Sequence, residues 1–283
     1  MSAEVSSAGQ LSPSGFVPAF RLVGANDAPR LAFILHGILG TGRNWQGFAE
    51  KWVRTHPSFR VALVDLRGHG GSLGATGPHT LARCADDLDA LVSVLGAPEF
   101  IIGHSFGSKV ALTFAARKPV GIKSIWLVDA PPGQKSQQRR FEIERLIDAI
   151  ERVPRPIESR ESAVSSLAAQ GVPDFVARWV ATSLGGPAGR LELRLETAVI
   201  RELLADYFAQ DRWDVVEDPQ REVQLTFVRG TRSDRIEGEN LERVRRLAAE
   251  GRVRLVELDA GHWVNSDDPS GLFRALEQEL GRA

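Results

Sequence analysis

Apolar positions along the chain follow two periods that take turns. Arg30–Leu35 (RLAFIL), Arg60–Val64 (RVALV), Glu99–Ile102, Lys123–Val128 (KSIWLV), Val223–Val228 (VQLTFV) and Arg252–Leu258 are short runs of mainly apolar residues. Strands buried on both faces of a parallel sheet read this way. Elsewhere the spacing is helical. In Thr80–Leu95 the residues Leu81, Cys84, Ala85, Leu88, Leu91, Val92 and Leu95 follow i, i+3, i+4, i+7. Asp86, Asp87 and Asp89 lie off that stripe, and Gly96 stops the helix. Gly107–Arg117, Leu241–Glu250 and Ser270–Leu280 are further helices. Alternating strand and helix predict an α/β protein: a mostly parallel sheet flanked by helices and joined by right-handed crossovers.

One stretch breaks the alternation. Residues 133–218 open after Pro131-Pro132 and hold helix-like patterns over Phe141–Val153, Val172–Thr182 and Leu191–Phe208, with no convincing strand. They are expected to form a helical cap or lid set into a core made of 19–132 and 219–283. Residues 1–18, small and polar, are expected to form a flexible arm. A length of 283 residues, between one domain and two, fits a single core with an insertion.

Composition removes several classes of function. Lys+Arg 35 against Asp+Glu 36 leaves a net charge of −1, which argues against nucleic acid held through phosphate contacts. No apolar run approaches the ~18 residues of a membrane span. The first twenty residues lack the basic and apolar regions of a signal peptide. One cysteine, Cys84, allows no intrachain disulfide, so the expected location is cytoplasmic. There is no phosphate loop of the form G-x-x-x-x-G-K-[ST], and no H-E-x-x-H or C-x-x-C metal motif.

The chemistry is carried by Gly103-His104-Ser105-Phe106-Gly107, a G-x-S-x-G sequence entered by a strand and left by a helix. In that setting the serine sits on a sharp strained turn with its hydroxyl exposed at the sheet's carboxyl edge. A serine hydroxyl needs a base, and the base needs an orienting acid. Of the six histidines, His262 lies just past the last strand, in the order Ser…Asp…His, and is the expected base. His36 and His104 are read as local hydrogen-bonding groups, His69 as ordering the Asp65–Ser72 glycine loop, and His56 and His79 as surface residues. Two acids are open: Asp129, 24 residues past Ser105 and directly after KSIWLV, and Asp234 after VQLTFV. The oxyanion donors are expected to be the N–H groups of Phe106 and Ile38. Trp263, beside His262, is a candidate wall of the substrate pocket.

H-G-x-x-G at His36, D-x-R-G-H-G-x-S at Asp65, G-H-S-x-G at Gly103 and G-H-W at Gly261 occur together in this order. The chain resembles the α/β-hydrolase superfamily, over all but the arm and much of the insertion. Within it, HGILG, GHSFGSKVAL and AGHWV are similar to small bacterial acyl-ester esterases and abhydrolase-11-type carboxylesterases. That resemblance implies an acid after the sixth strand of the family fold, where Asp129 stands, with the lid following. The R-G-x-x-S-D pattern ending at Asp234 is similar to relatives whose acid follows strand seven. Ser108 departs from the subgroup, which has glycine there. Ser105 argues against the dehalogenase and epoxide hydrolase branches, which carry aspartate at the nucleophile.

The expected function is hydrolysis of carboxylic esters through an acyl-enzyme, with no cofactor and no metal. The expected partner is a small, uncharged ester, with no nucleic acid and no membrane. C–C bond or lactone hydrolysis and cofactor-free perhydrolysis use the same triad, and a ligand-binding receptor could retain the fold.

Overall fold

The strand runs are apolar on both sides because both sides are covered. In the computed structural model, which describes residues 16–134, 137–187 and 189–281, Phe33 and Leu35 face one apolar cluster while Ala32 and Ile34 of the same strand face another. Ile125 and Leu127 part from Trp126 and Val128 in the same way. One cluster lies under the helices Leu81–Leu95 and Phe106–Ala115, the other under Gln46–Thr55 and Pro269–Leu280.

The strands are β1 (Phe20–Val23), β2 (Arg30–Leu35), β3 (Phe59–Val64), β4 (Phe100–His104), β5 (Ser124–Val128), β6 (Leu184–Gly185), β7 (Glu192–Leu193), β8 (Gln224–Gly230) and β9 (Arg254–Leu258). The helices are α1 (Gln46–Thr55), α2 (Leu81–Leu95), α3 (Phe106–Ala115), α4 (Gln137–Glu151), α5 (Arg160–Ala169), α6 (Asp174–Ala181), α7 (Thr197–Ala209), α8 (Trp213–Val216), α9 (Gly238–Ala249), α10 (Val264–Asp267) and α11 (Pro269–Leu280).

Among the described residues one sheet of seven strands runs β1-β3-β2-β4-β5-β8-β9. Every pair in it is parallel except β1 with β3. From β2 the chain steps outward to β3 and then back across to β4. The carboxyl ends of β2 and β4 therefore flank the point where the winding reverses, the place where open α/β sheets leave a crevice. The register continues across that edge, with Leu35 opposite Gly103, His104 opposite Val128, Val128 opposite Val228 and Gly230 opposite Leu258.

Three expectations need correction. Residues 1–15 of the expected arm lie outside the described residues, but β1 begins at Phe20 and was not anticipated. It is four residues long and only Val23 of it is buried, too little to display a period. The segment between β5 and β8 does contain strands. β6 and β7 form a two-residue antiparallel pair, with Leu184 opposite Leu193, where helix had been expected from Leu191 onward. His79 is buried, not a surface residue, with its Nδ1 3.5 Å from Arg67 Nη1. Otherwise the segment is helical: α4, α6 and α7 fall largely on the expected patterns, whereas α5 and α8 lie outside them.

Candidate active site

The G-x-S-x-G turn owes its glycines to contact. A Cβ on Gly103 would lie 2.4 Å from the carbonyl oxygen of Gly107, and one on Gly107 would lie 2.5 Å from the carbonyl oxygen of Leu35. Gly103 thus lets β4 meet α3, and Gly107 lets α3 meet the end of β2, because neither carries a side chain. Between them Ser105 takes φ 49° and ψ −109°, a left-handed backbone that costs about 1–3 kcal/mol and needs the surrounding bonds to hold it. Ser105 N–H donates to Val128 O at 2.9 Å, and Ser108 N–H donates to Ser105 O at 3.1 Å. The Ser108 hydroxyl donates to Gly103 O at 2.6 Å and ties the turn together. Phe106 is the first residue of α3, where backbone N–H groups precede the helical ladder.

Asp129 follows β5, also with a left-handed φ, of 53°. Its side chain is 0% exposed. Oδ2 accepts from His262 Nδ1 at 2.8 Å and from Ser233 Oγ at 2.5 Å, and Oδ1 accepts from Gly230 N–H at 3.2 Å. Asp234 does something else: it pairs with Arg139 and lies 3.6 Å from Arg235. Those cations hold its carboxyl below the ordinary aspartate range, against the opposing effect of its partial burial. His262 stands in the loop after β9. His104 Nε2 donates to its backbone carbonyl at 2.9 Å, and the two imidazoles lie 4.8 Å apart.

The loop after β2 is set by two buried histidines. His36 Nδ1 donates to Gly37 O at 2.8 Å and Nε2 accepts from Leu66 N–H at 2.9 Å. His69 Nε2 accepts from Leu39 N–H at 3.0 Å and Nδ1 donates to Arg67 O at 2.9 Å. Each ring is thus used as a neutral tautomer, and burial lowers their pKa values to about 4 and about 3. Asp65 accepts from Gly42 N–H and Gly71 N–H, both at 2.8 Å, and so ties down the glycine loop as its position suggests. Arg67 forms a bidentate pair with Asp87 at 2.6 and 2.7 Å, both nearly fully buried. His56, half-buried, pairs with Glu277.

Ser105, Phe106, Ile38, His262 and Trp263 all line one cavity of about 630 Å³. Its far side comes from the segment between β5 and β8, through residues such as Ile143, Leu146, Val176 and Tyr207. Trp263 packs against Phe175 at 5.3 Å and Trp179 at 5.7 Å between ring centroids. Those three aromatics also line a second cavity of about 350 Å³, which contains Asn44 and Asn265. Sequence reading missed Ser233 and Gly230 as partners of Asp129, while His104, read as a local hydrogen-bonding group, does bond the His262 carbonyl. Ser233 lies inside the same R-G-x-x-S-D pattern that drew attention to Asp234. It missed Lys109 too. That buried Nζ donates to Gly133 O, Tyr207 O and Gln210 O, each at 2.9 Å. Among the described residues no helix is long and apolar enough to cross a membrane.

The family model described as the alpha/beta hydrolase fold matches residues 33–237. Mouse (Mus musculus) sn-1-specific diacylglycerol lipase ABHD11 is 26% identical over 265 residues, covering 89% of this chain and 81% of that protein. The N-formylmaleamate deformylase of Pseudomonas putida is 27% identical over 250 residues, covering 86% and 85%. A solved marine microorganism esterase superposes with a TM-score of 0.78 at 21% identity, covering 92% of this chain and 98% of that one. The sheet order, the serine turn after β4 and the matched residues agree: the chain belongs to the α/β-hydrolase fold family and is a hydrolase.

Proposed function

We propose that the protein cleaves carboxylic esters through an acyl-enzyme, with Ser105 as nucleophile, His262 as base and Asp129 as the orienting acid. The observation that carries this reading is the part-buried bond from Nδ1 of His262, which lines the same cavity as Ser105, to the fully buried Asp129. Because Nδ1–H is given to Asp129, Nε2 is the basic nitrogen. Ser105 Oγ attacks the acyl carbonyl carbon and its proton passes to Nε2. The tetrahedral oxyanion is held by the N–H groups of Phe106 and Ile38. Collapse expels the alcohol, which takes the proton from His262. Water, deprotonated by the same nitrogen, then releases the acid and restores Ser105.

Residues 133–218 act as the cap over this chemistry, and Trp263 walls the pocket they enclose. Relatives named as a lipase, a deformylase and an esterase are consistent with acyl transfer to water. The test is a pre-steady-state burst with a p-nitrophenyl ester together with fluorophosphonate labelling. Ser105→Ala is expected to abolish labelling and lower kcat by at least about 10⁴-fold. Full activity in that variant, or neither burst nor labelling in folded protein, rules the mechanism out.

A further inference from the structure

The catalytic cavity is apolar over much of its wall, yet Glu142, Arg145 and Arg235 line it as well. Their circumstances differ. Glu142 is engaged by Arg139, at 3.3 Å. Arg145 is exposed at its position on α4. Arg235 is half-buried, and its Nε is shut off from solvent without a hydrogen-bond partner. The carboxylate beside it, Asp234 Oδ1, is 3.6 Å from that nitrogen, beyond hydrogen-bond reach, and Oδ2 of Asp234 accepts from Arg139. Nε itself is closed to a ligand, but the Arg235 side chain as a whole is 25% exposed and lines the cavity, so its guanidinium offers positive charge to a ligand acceptor there.

The backbone at Arg235 is also linked to Asp129 through one side chain. Arg235 N–H donates to Ser233 Oγ at 3.3 Å, and that oxygen donates to Asp129. The Arg235 charge also reaches the phenol of Tyr207, where it opposes the burial that pushes the phenol's ionisation up. The ring of Tyr207 lies 5.5 Å from that of Phe106, next to the nucleophile.

We propose that Arg235, with Arg145 adding positive potential, binds a carboxylate carried by the ester substrate, so that the enzyme prefers anionic esters to neutral ones. A guanidinium presents parallel N–H donors in a plane, which matches a carboxylate better than any neutral group of that size. This departs from the uncharged ester expected from the near-zero net charge, because the sum of charges says nothing about where they stand. The inference rests on the hydrolase reading above and adds the substrate class.

The test uses two matched pairs: p-nitrophenyl hemisuccinate against its methyl ester, and acetoxyacetate against methyl acetoxyacetate. The first pair puts the carboxylate on the acyl side, the second on the alcohol side. The wild-type enzyme is expected to prefer the charged member of one pair in kcat/KM. Arg235→Gln is expected to lower that preference about 10- to 100-fold, mainly through KM, and Arg235→Lys to restore part of it. Thermal melting checks that each variant is folded. No preference for either charged ester, or preferences unchanged in Arg235→Gln, overturns the proposal. Absence of all turnover and of fluorophosphonate labelling overturns the hydrolase reading instead. Binding of monomethyl against dimethyl succinate to Ser105→Ala, with and without Arg235→Gln, then decides the anion site without chemistry. Equal affinities there overturn it, and a monomethyl preference lost with Arg235 upholds it.

Discussion

The carboxylate of Asp129 receives three hydrogen bonds in full burial, whereas that of Asp234 is about half exposed and held by arginines. Asp129→Asn is therefore expected to lower kcat about 10³- to 10⁴-fold, because an amide there favours the wrong imidazole tautomer. Asp234→Asn is expected to change kcat by less than about threefold, since an exposed ion pair is worth ~1 kcal/mol or less. Ser233→Ala removes one charge-assisted bond and is expected to cost about tenfold in kcat/KM. Steady-state kinetics on one neutral ester measure all three, and comparable losses in Asp129→Asn and Asp234→Asn would defeat the assignment. Residue types and chain order nominate Ser105 and His262 as nucleophile and base. They could not choose between the acids, because both follow neighbouring strands at the same edge of the sheet. In the fold Asp129 meets His262 and Asp234 meets Arg139, and that difference depends on the backbone at Asp129 and on arginines remote in sequence.

Elements were legible where a period repeats. The buried parallel strands and the amphipathic α2 announce themselves, while β1, β6 and β7 are too short to do so. Contacts that join elements leave no local mark at all. Lys109 reads as an ordinary helix residue, yet it reaches from α3 to Gly133, at the entry to the helical segment, and to Tyr207 and Gln210, near its exit. Burial lowers its pKa to about 8, so it remains mostly charged at neutral pH. Lys109→Met keeps much of the apolar volume but strips three buried carbonyls of their donor. We expect a loss of about 2–4 kcal/mol in unfolding free energy, read by urea titration. A loss below ~0.5 kcal/mol would show that the three bonds contribute nothing net.

Across the whole molecule, stability depends on pH through groups far from the surface. His36 and His69 have pKa values of about 4 and about 3 in the fold, against about 6.5 in an unfolded chain. Below pH 6.5 the unfolded state binds protons that the native state refuses, so these rings withdraw stability as pH falls. For His36 alone the loss approaches about 3 kcal/mol by pH 4. Burial pushes the carboxyls of Asp65 and Asp87 up, which acts in the opposite sense because the native state then takes protons first. The histidine share is isolated by NMR titration of the two imidazoles, expected to stay neutral down to pH 5. A midpoint near 6.5 for either would contradict its buried tautomer. Of the whole molecule, the sequence pattern conveyed the layering. It did not convey the cavity, whose wall is assembled from residues as distant as Ile38, Ile143 and Arg235.

The sheet order also has a consequence in time. His262 is 157 residues beyond Ser105 in the chain (262 − 105), and it comes from the loop after β9, at the margin of the sheet. A refolding or nascent chain can complete the turn at Ser105 and the β4–β5 pairing while still chemically inert. On the proposed triad it becomes competent only when β8 has laid itself on β5, a closure across 100 residues (224 − 124) and hence late, and β9 has then followed on β8. Recovery of fluorophosphonate reactivity then serves as a stopwatch for the final strand, while helix content, recovered from local contacts, runs ahead of it.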